Sequence, residues 1–169
     1  MTIETYQGKK PQIGKDCFIA DSADLIGDVV LGDNASVWHS AVIRADIFDV
    51  VIGSGTSIQD NATVHVNHER GTYIGNNVTV GHNVVLHACT VEDGCMIGMG
   101  SVILDGVTIG EGSIVAAGSV VSPNKEIPPH SMVMGIPGQV VRTLDENRVT
   151  GLLEHAERYV ELVHSYLKK

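Results

Sequence analysis

Aromatic side chains make up only 4% of this 169-residue chain, and cysteine occurs just three times. So few rings argue against an ordinary helix-rich core, whereas 19 glycines and abundant valine and isoleucine fit a regular stack of short strands and tight turns. Cys17, Cys89 and Cys95 are odd in number and lack the spacing of a zinc or redox pair. That argues against a disulfide framework and fits a reducing compartment. Lys and Arg total 11 against 20 Asp and Glu, for a net charge of −9. With no basic cluster, a nucleic-acid partner is excluded. Glycine and polar residues break every hydrophobic run short of a membrane span, and the first six residues lack the basic and apolar regions of a leader. A single-domain cytoplasmic protein with no membrane partner is expected.

What the chain does have is a period of six. Aliphatic residues recur at Ile13, Ile19, Leu25, Leu31, Val37 and Ile43, then Ile52, Ile58 and Val64, then Ile74, Val80 and Leu86, and then from Val91 every six residues to Val121. Glycine often follows, and a small or β-branched residue precedes by two, as at Ala23, Ala35, Thr56 and Ser101. Six residues supply a short strand and a sharp turn, so three units close a triangular coil, and stacked coils pair in parallel at ~4.8 Å. The fold class is thus an all-β solenoid, a parallel β-helix over about 12–122; its left hand is taken from a resemblance to hexapeptide-repeat proteins. Loops are expected to leave the coil at three extra residues within Ile47–Val51 and four within Val66–Tyr73, and one residue is missing between Leu86 and Val91. Past Val121 the proline-rich stretch to Ser131 is expected to end the ladder, leaving 123–144 as a connecting segment. From Asp145 the period becomes helical to about 168, with Val149, Leu152, Leu153, Ala156, Tyr159, Val160, Val163, Tyr166 and Leu167 on one side. Asp145 suits the N-cap, and Lys168 and Lys169 suit the C-terminal dipole.

Histidines interrupt the repeat between His65 and His87. Counting hexads puts Ile43, Val64 and Leu86 on one face of successive coils, so Arg44, His65 and His87 form an outward column with the two imidazoles ~4.8 Å apart. That spacing suits two ligands of one metal ion. His82 lies in the turn before this face, and the five residues to His87 reach ~16 Å when extended, too far for Zn–N bonds of ~2 Å. A shared metal then needs His82 from a second chain, and a C3 homotrimer is the natural closure. Three imidazoles leave an open coordination position, as in catalytic rather than structural zinc sites. The alternative is three surface histidines crowded by chance. His39, His130, His155 and His164 read as ordinary surface residues, and His68 as a loop residue or a supporting group.

The segments Ile43–Asp46, Ile58–Asn61, Val64–His65, Ile74–His82 and Val85–His87, together with the repeat and the terminal helix, resemble the γ-class carbonic anhydrases. The resemblance implies that His65, His82 and His87 bind Zn2+, with Fe2+ or Co2+ equally suited to imidazole donors. It implies that Gln59 hydrogen-bonds the metal-bound water or bicarbonate, that Arg44 and Asp60 pair across the subunit interface, that Asp46 supports this network, and that Tyr159 reaches the pocket. The implied activity is reversible hydration of CO2 to bicarbonate by a metal-bound hydroxide at trimer interfaces. The chain departs from the family's pattern in its proton path: the loop after His65 holds only His68 and Glu69 in place of a long acidic segment, and Ile47 stands where a glutamate would follow Asp46. Either His68 or buffer carries the proton, or turnover is slow. Two other functions stay open: an acyl-CoA thioesterase-like hydrolase, and an inactive metal-binding scaffold. Acyltransferases share the hexapeptide pattern but need no metal triad.

Overall fold

The computed structural model describes residues 1–168. Short strands wind into a left-handed parallel β-helix of about seven turns, followed by one C-terminal helix. On the first face Leu25, Ile43, Val64, Leu86, Ile103 and Val121 stack in register. The second face stacks Ile13, Leu31, Ile52, Ile74, Val91, Ile109 and Ile127, and the third runs from Ile19 to Val133. The ladder residues are buried except in the first coil, where Ile13 is 40% exposed because no full coil lies beneath it. Corners turn through left-handed backbone, and asparagine takes many of those positions, including Asn34, Asn61, Asn77, Asn83 and Asn124. Its short amide tolerates that conformation better than a branched side chain does.

Two expectations need correction. The parallel ladder does not end near Val121: Glu126–Ile127 pairs with Thr108–Ile109, and Ser131–Gly135 pairs with Ile114–Val115 before an antiparallel return over Gly138–Thr143. Pro123 and Pro129 sit in the turns, where no ladder donor is needed, so Ile127 and Val133 keep the six-residue period. The extra residues at Ile47–Val51 do not leave the coil either. They lie inside one strand, Val42–Ile52, whose register against Asp24–Leu31 shifts between Gly27 and Val29. A bulge keeps the flanking backbone paired, which a loop would not. The insertion at Val66–Tyr73 is a true loop until Thr72, where the next strand begins.

Helix α1 spans Glu146–Leu167, and the Asp145 side chain accepts from the Arg148 backbone N–H as its N-cap. Lys168 is the C-cap; Lys169 lies outside the described residues. The helix buries Leu152, Ala156 and Val163. Leu153 and Leu167, expected on the covered side, are 46% and 48% exposed. A flat sheet face covers only a narrow stripe of a cylinder. The scarce aromatics concentrate at this contact: Trp38 lies 5.0 Å from Phe18, 5.2 Å from Tyr166 and 6.1 Å from Tyr159 between ring centroids. Such tilted pairs contribute about 0.5–1.5 kcal/mol each beyond burial, enough to pin the helix to the third face.

Candidate metal centre

His65 and His87 are direct partners in the parallel ladder. The facing nitrogens, Nδ1 of His65 and Nε2 of His87, are 3.2 Å apart. Their other nitrogens point to carboxylates: His65 Nε2 is 3.2 Å from Asp46 Oδ1, and His87 Nδ1 is 2.5 Å from Asp105 Oδ1. Arg44 donates to the second oxygen of Asp46 at 2.5 Å, and the Asn67 amide donates to the second oxygen of Asp105 at 2.7 Å. Burial works against the charge on Asp46, but hydrogen bonds from Arg44 and His65 outweigh it and hold the carboxyl below its usual range. Asp105 behaves alike: burial opposes ionisation, and His87 and Asn67 overcome it. Burial lowers the His65 imidazole, with the Arg44 charge and His87 adding to the effect against the pull of Asp46.

An ionised carboxylate only accepts, so the outer nitrogens carry the hydrogens and the two inner ones present lone pairs to each other. Facing lone pairs at this distance repel unless a cation is shared. Two Zn–N bonds of 2.0–2.1 Å at a tetrahedral angle place the nitrogens ~3.3 Å apart, so the donor pair fits a metal ion. Carboxylates behind ligating imidazoles are the usual means of fixing their tautomer.

His82 stands elsewhere. Its Nδ1 is 2.8 Å from Asp60 Oδ2, and with Gln59, Thr79, Met96, Met99, His155 and Tyr159 it lines a cleft of about 160 Å3 between the third face and α1. Gln59 is buried, at 4% exposure. Burial raises the Tyr159 phenol, and the Asp60 charge adds to it. Among the described residues, no group of three or more His, Cys, Asp or Glu within this one chain is placed to hold a metal ion.

Within the chain Arg44 pairs with Asp46 and Asp60 pairs with His82, so the Arg44–Asp60 pair implied by resemblance is not an intrachain contact. His68 is exposed in its loop. His155 is not an ordinary surface residue: it is partly buried, hydrogen-bonds Thr79 at 3.3 Å and tilts against the Tyr159 ring. Asp105 and Asn67 escaped the sequence reading altogether. The signal was present, since coil counting places Asp105 at the turn one coil beyond His87. The thiols take no part: burial pushes Cys89 and Cys95 up to about 12. Among the described residues no helix is long and apolar enough to cross a membrane.

The bacterial transferase hexapeptide (six repeats) family matches residues 10–45, 71–103 and 88–123. A protein named "Probable carbonic anhydrase" from Methanocaldococcus jannaschii is 47% identical over 150 residues, covering 89% of this chain and 94% of the relative. A carbonic anhydrase from Geobacillus kaustophilus is 45% identical over 159 residues, covering 94% and 87%. Among solved structures, a hexapeptide transferase family protein from Anaplasma phagocytophilum superposes with a TM-score of 0.93 at 38% identity, over 98% of both chains. Repeat, fold and full-length similarity agree: the chain belongs to the γ-class carbonic anhydrase-like family of hexapeptide-repeat proteins.

Proposed function

We propose that this protein is a metal-dependent carbonic anhydrase that interconverts CO2 and bicarbonate at sites completed between copies of a homotrimer. The observation that carries the reading is the pair of facing imidazole nitrogens 3.2 Å apart, each ring backed by a carboxylate. His65 and His87 of one copy and His82 of the next would hold the ion, with zinc the first choice and Fe2+ or Co2+ suited to the same donors. When bound, the ion supplies Lewis acidity and a hydroxide nucleophile at neutral pH.

The chain's own groups do the rest. Asp46 and Asp60 fix His65 and His82. The Arg44 side chain is 43% exposed beyond Asp46, which leaves it able to reach Asp60 of a neighbouring copy. Gln59, buried beside His82, donates its amide N–H to a bicarbonate oxygen, and Met96, Ile97 and Met99 give an apolar wall to nonpolar CO2. The Tyr159 phenol, raised by burial and by Asp60, stays a hydrogen-bond donor through neutral pH. The cleft of about 160 Å3 favours a three-atom substrate over an acyl-CoA, since drug-sized ligands occupy roughly 300–1,000 Å3.

The test is CO2 hydration and thioester hydrolysis measured on one metal-loaded sample. Hydration that disappears in His82→Ala is expected; thioester hydrolysis without hydration would sink the reading. The exit of the proton is assigned to exposed His68. His68→Ala should therefore slow hydration several-fold in weak buffer, with recovery on adding imidazole. An unchanged rate in weak buffer would make His68 a bystander.

A further inference from the structure

The column of polar contacts that runs through the two imidazoles continues past His87 to a pair of residues that the proposed reaction does not use. His87 Nδ1 meets Asp105 Oδ1 at 2.5 Å, and Asp105 Oδ2 accepts from Asn67 at 2.7 Å. We propose that Asp105, held by Asn67, is a positioning residue that sets the tautomer and aim of His87 as a metal ligand. The inference rests on the metal reading above for its consequence, but not for its geometry.

Asp105 belongs to the turn of the coil after His87, whereas Asn67 belongs to the loop that follows His65, one coil before it. The two residues therefore bracket His87 from both sides along the stack. The orientation of the Asn67 amide is over-determined: its Oδ1 accepts the backbone N–H groups of Glu69 and Arg70, both at 2.9 Å. With the oxygen committed to the loop, the amide nitrogen must face Asp105. The loop is itself tied at its base, where the Asn67 N–H donates to the Arg70 carbonyl at 3.2 Å and the Thr72 hydroxyl donates to the His65 carbonyl at 2.5 Å.

This second hold matters because the Asp105 side chain is 41% exposed. An exposed carboxylate free to rotate would fix a partner weakly. Tethered by Asn67, it presents one oxygen to His87 Nδ1, so the hydrogen stays on that nitrogen and Nε2 remains bare toward His65. The Val66–Tyr73 insertion thus acquires a role besides any in proton exit: it reaches across one coil and braces the ligand in it.

Two readouts test the role. In metal-free protein, nitrogen-15 NMR in mildly alkaline buffer should show His87 as the Nδ1–H tautomer, shifting toward Nε2–H in Asp105→Ala and partly so in Asn67→Ala. In Co2+-loaded protein, chelator competition should show Asp105→Ala binding roughly 10–100-fold more weakly, the loss usual when such a partner is removed. Asn67→Ala should lose less, and the double variant should be no worse than Asp105→Ala alone. A wild-type Nε2–H tautomer overturns the proposal, as does a folded Asp105→Ala protein with unchanged Co2+ affinity, or additive losses in the double variant. If Asp105→Ala does not fold, Asn67→Ala decides by the same readouts. A wild-type protein that binds no metal would refute the carbonic anhydrase reading and the ligand role together, whereas the tautomer would still show whether Asp105 positions His87.

Discussion

Chains carrying His82→Ala or His87→Ala should each purify nearly free of metal, and an equal mixture of the two, unfolded and refolded together, should regain about a quarter of the wild-type content. In the proposed C3 assembly, each homotrimer of one variant would lack a ligand at every site. In a refolded mixture a site is whole only where a chain that keeps His82 adjoins one that keeps His65 and His87, which random assembly provides at roughly one interface in four. The intrachain geometry motivates the experiment. His65 and His87 share a ladder position on the first face, whereas His82 faces the cleft with Gln59 and Tyr159. Mixing without unfolding should recover nothing if subunits do not exchange. Heterotrimers that form and yet bind no more metal than either parent would show that the ligands do not combine across chains.

The stacking of His65 under His87 was legible from counting alone, because a solenoid converts sequence separation into height with a fixed step. The helix start was legible for a local reason, since Asp145 needs only its own turn to act as a cap. What counting missed is what depends on corners. Prolines looked like the end of the ladder because a strand cannot use them, but Pro123 and Pro129 fall in turns, where a missing N–H costs nothing. The three residues inserted after Asp46 read as a loop, but a bulge absorbs them with most backbone pairing intact. Asp105 and His155 were missed because their partners are far in sequence: Asn67 lies 38 residues from Asp105, and Thr79 lies 76 residues from His155. A period of six says which residues share a face. It does not say which turn side chains fold back over it, or where a terminal helix lies down.

Gly53→Ala should be among the most damaging single-methyl changes available in this chain, and Gly151→Ala should have the opposite sign. A Cβ on Gly53 would lie 2.5 Å from the carbonyl carbon and 2.6 Å from the oxygen of Gly75, and 2.7 Å from the nitrogen of Asn76. All three atoms are backbone of the next coil, whose Ile74 carbonyl accepts the Gly53 N–H at 2.8 Å. No rotamer relieves such a clash, so the two coils must part. A loss of about 3 kcal/mol is expected, at the upper end of the cost of overpacking, and a fall in Tm of roughly 6–12 °C. Gly151 is exposed on α1 with nothing within 4 Å of an added Cβ, so alanine there should stabilise by about 0.5–1 kcal/mol through helix propensity. The first change also reaches the metal centre. Gly53 and His65 lie in one coil and Gly75 and His87 in the next, so prying this corner apart widens the step that sets the 3.2 Å between the imidazole nitrogens. Gly53→Ala should therefore weaken Co2+ binding at temperatures where the protein is still folded, and Gly151→Ala should not. Equal metal affinity in the two variants, measured well below both melting temperatures, would show that the site is held by its carboxylates and loop and not by the spacing of the coils.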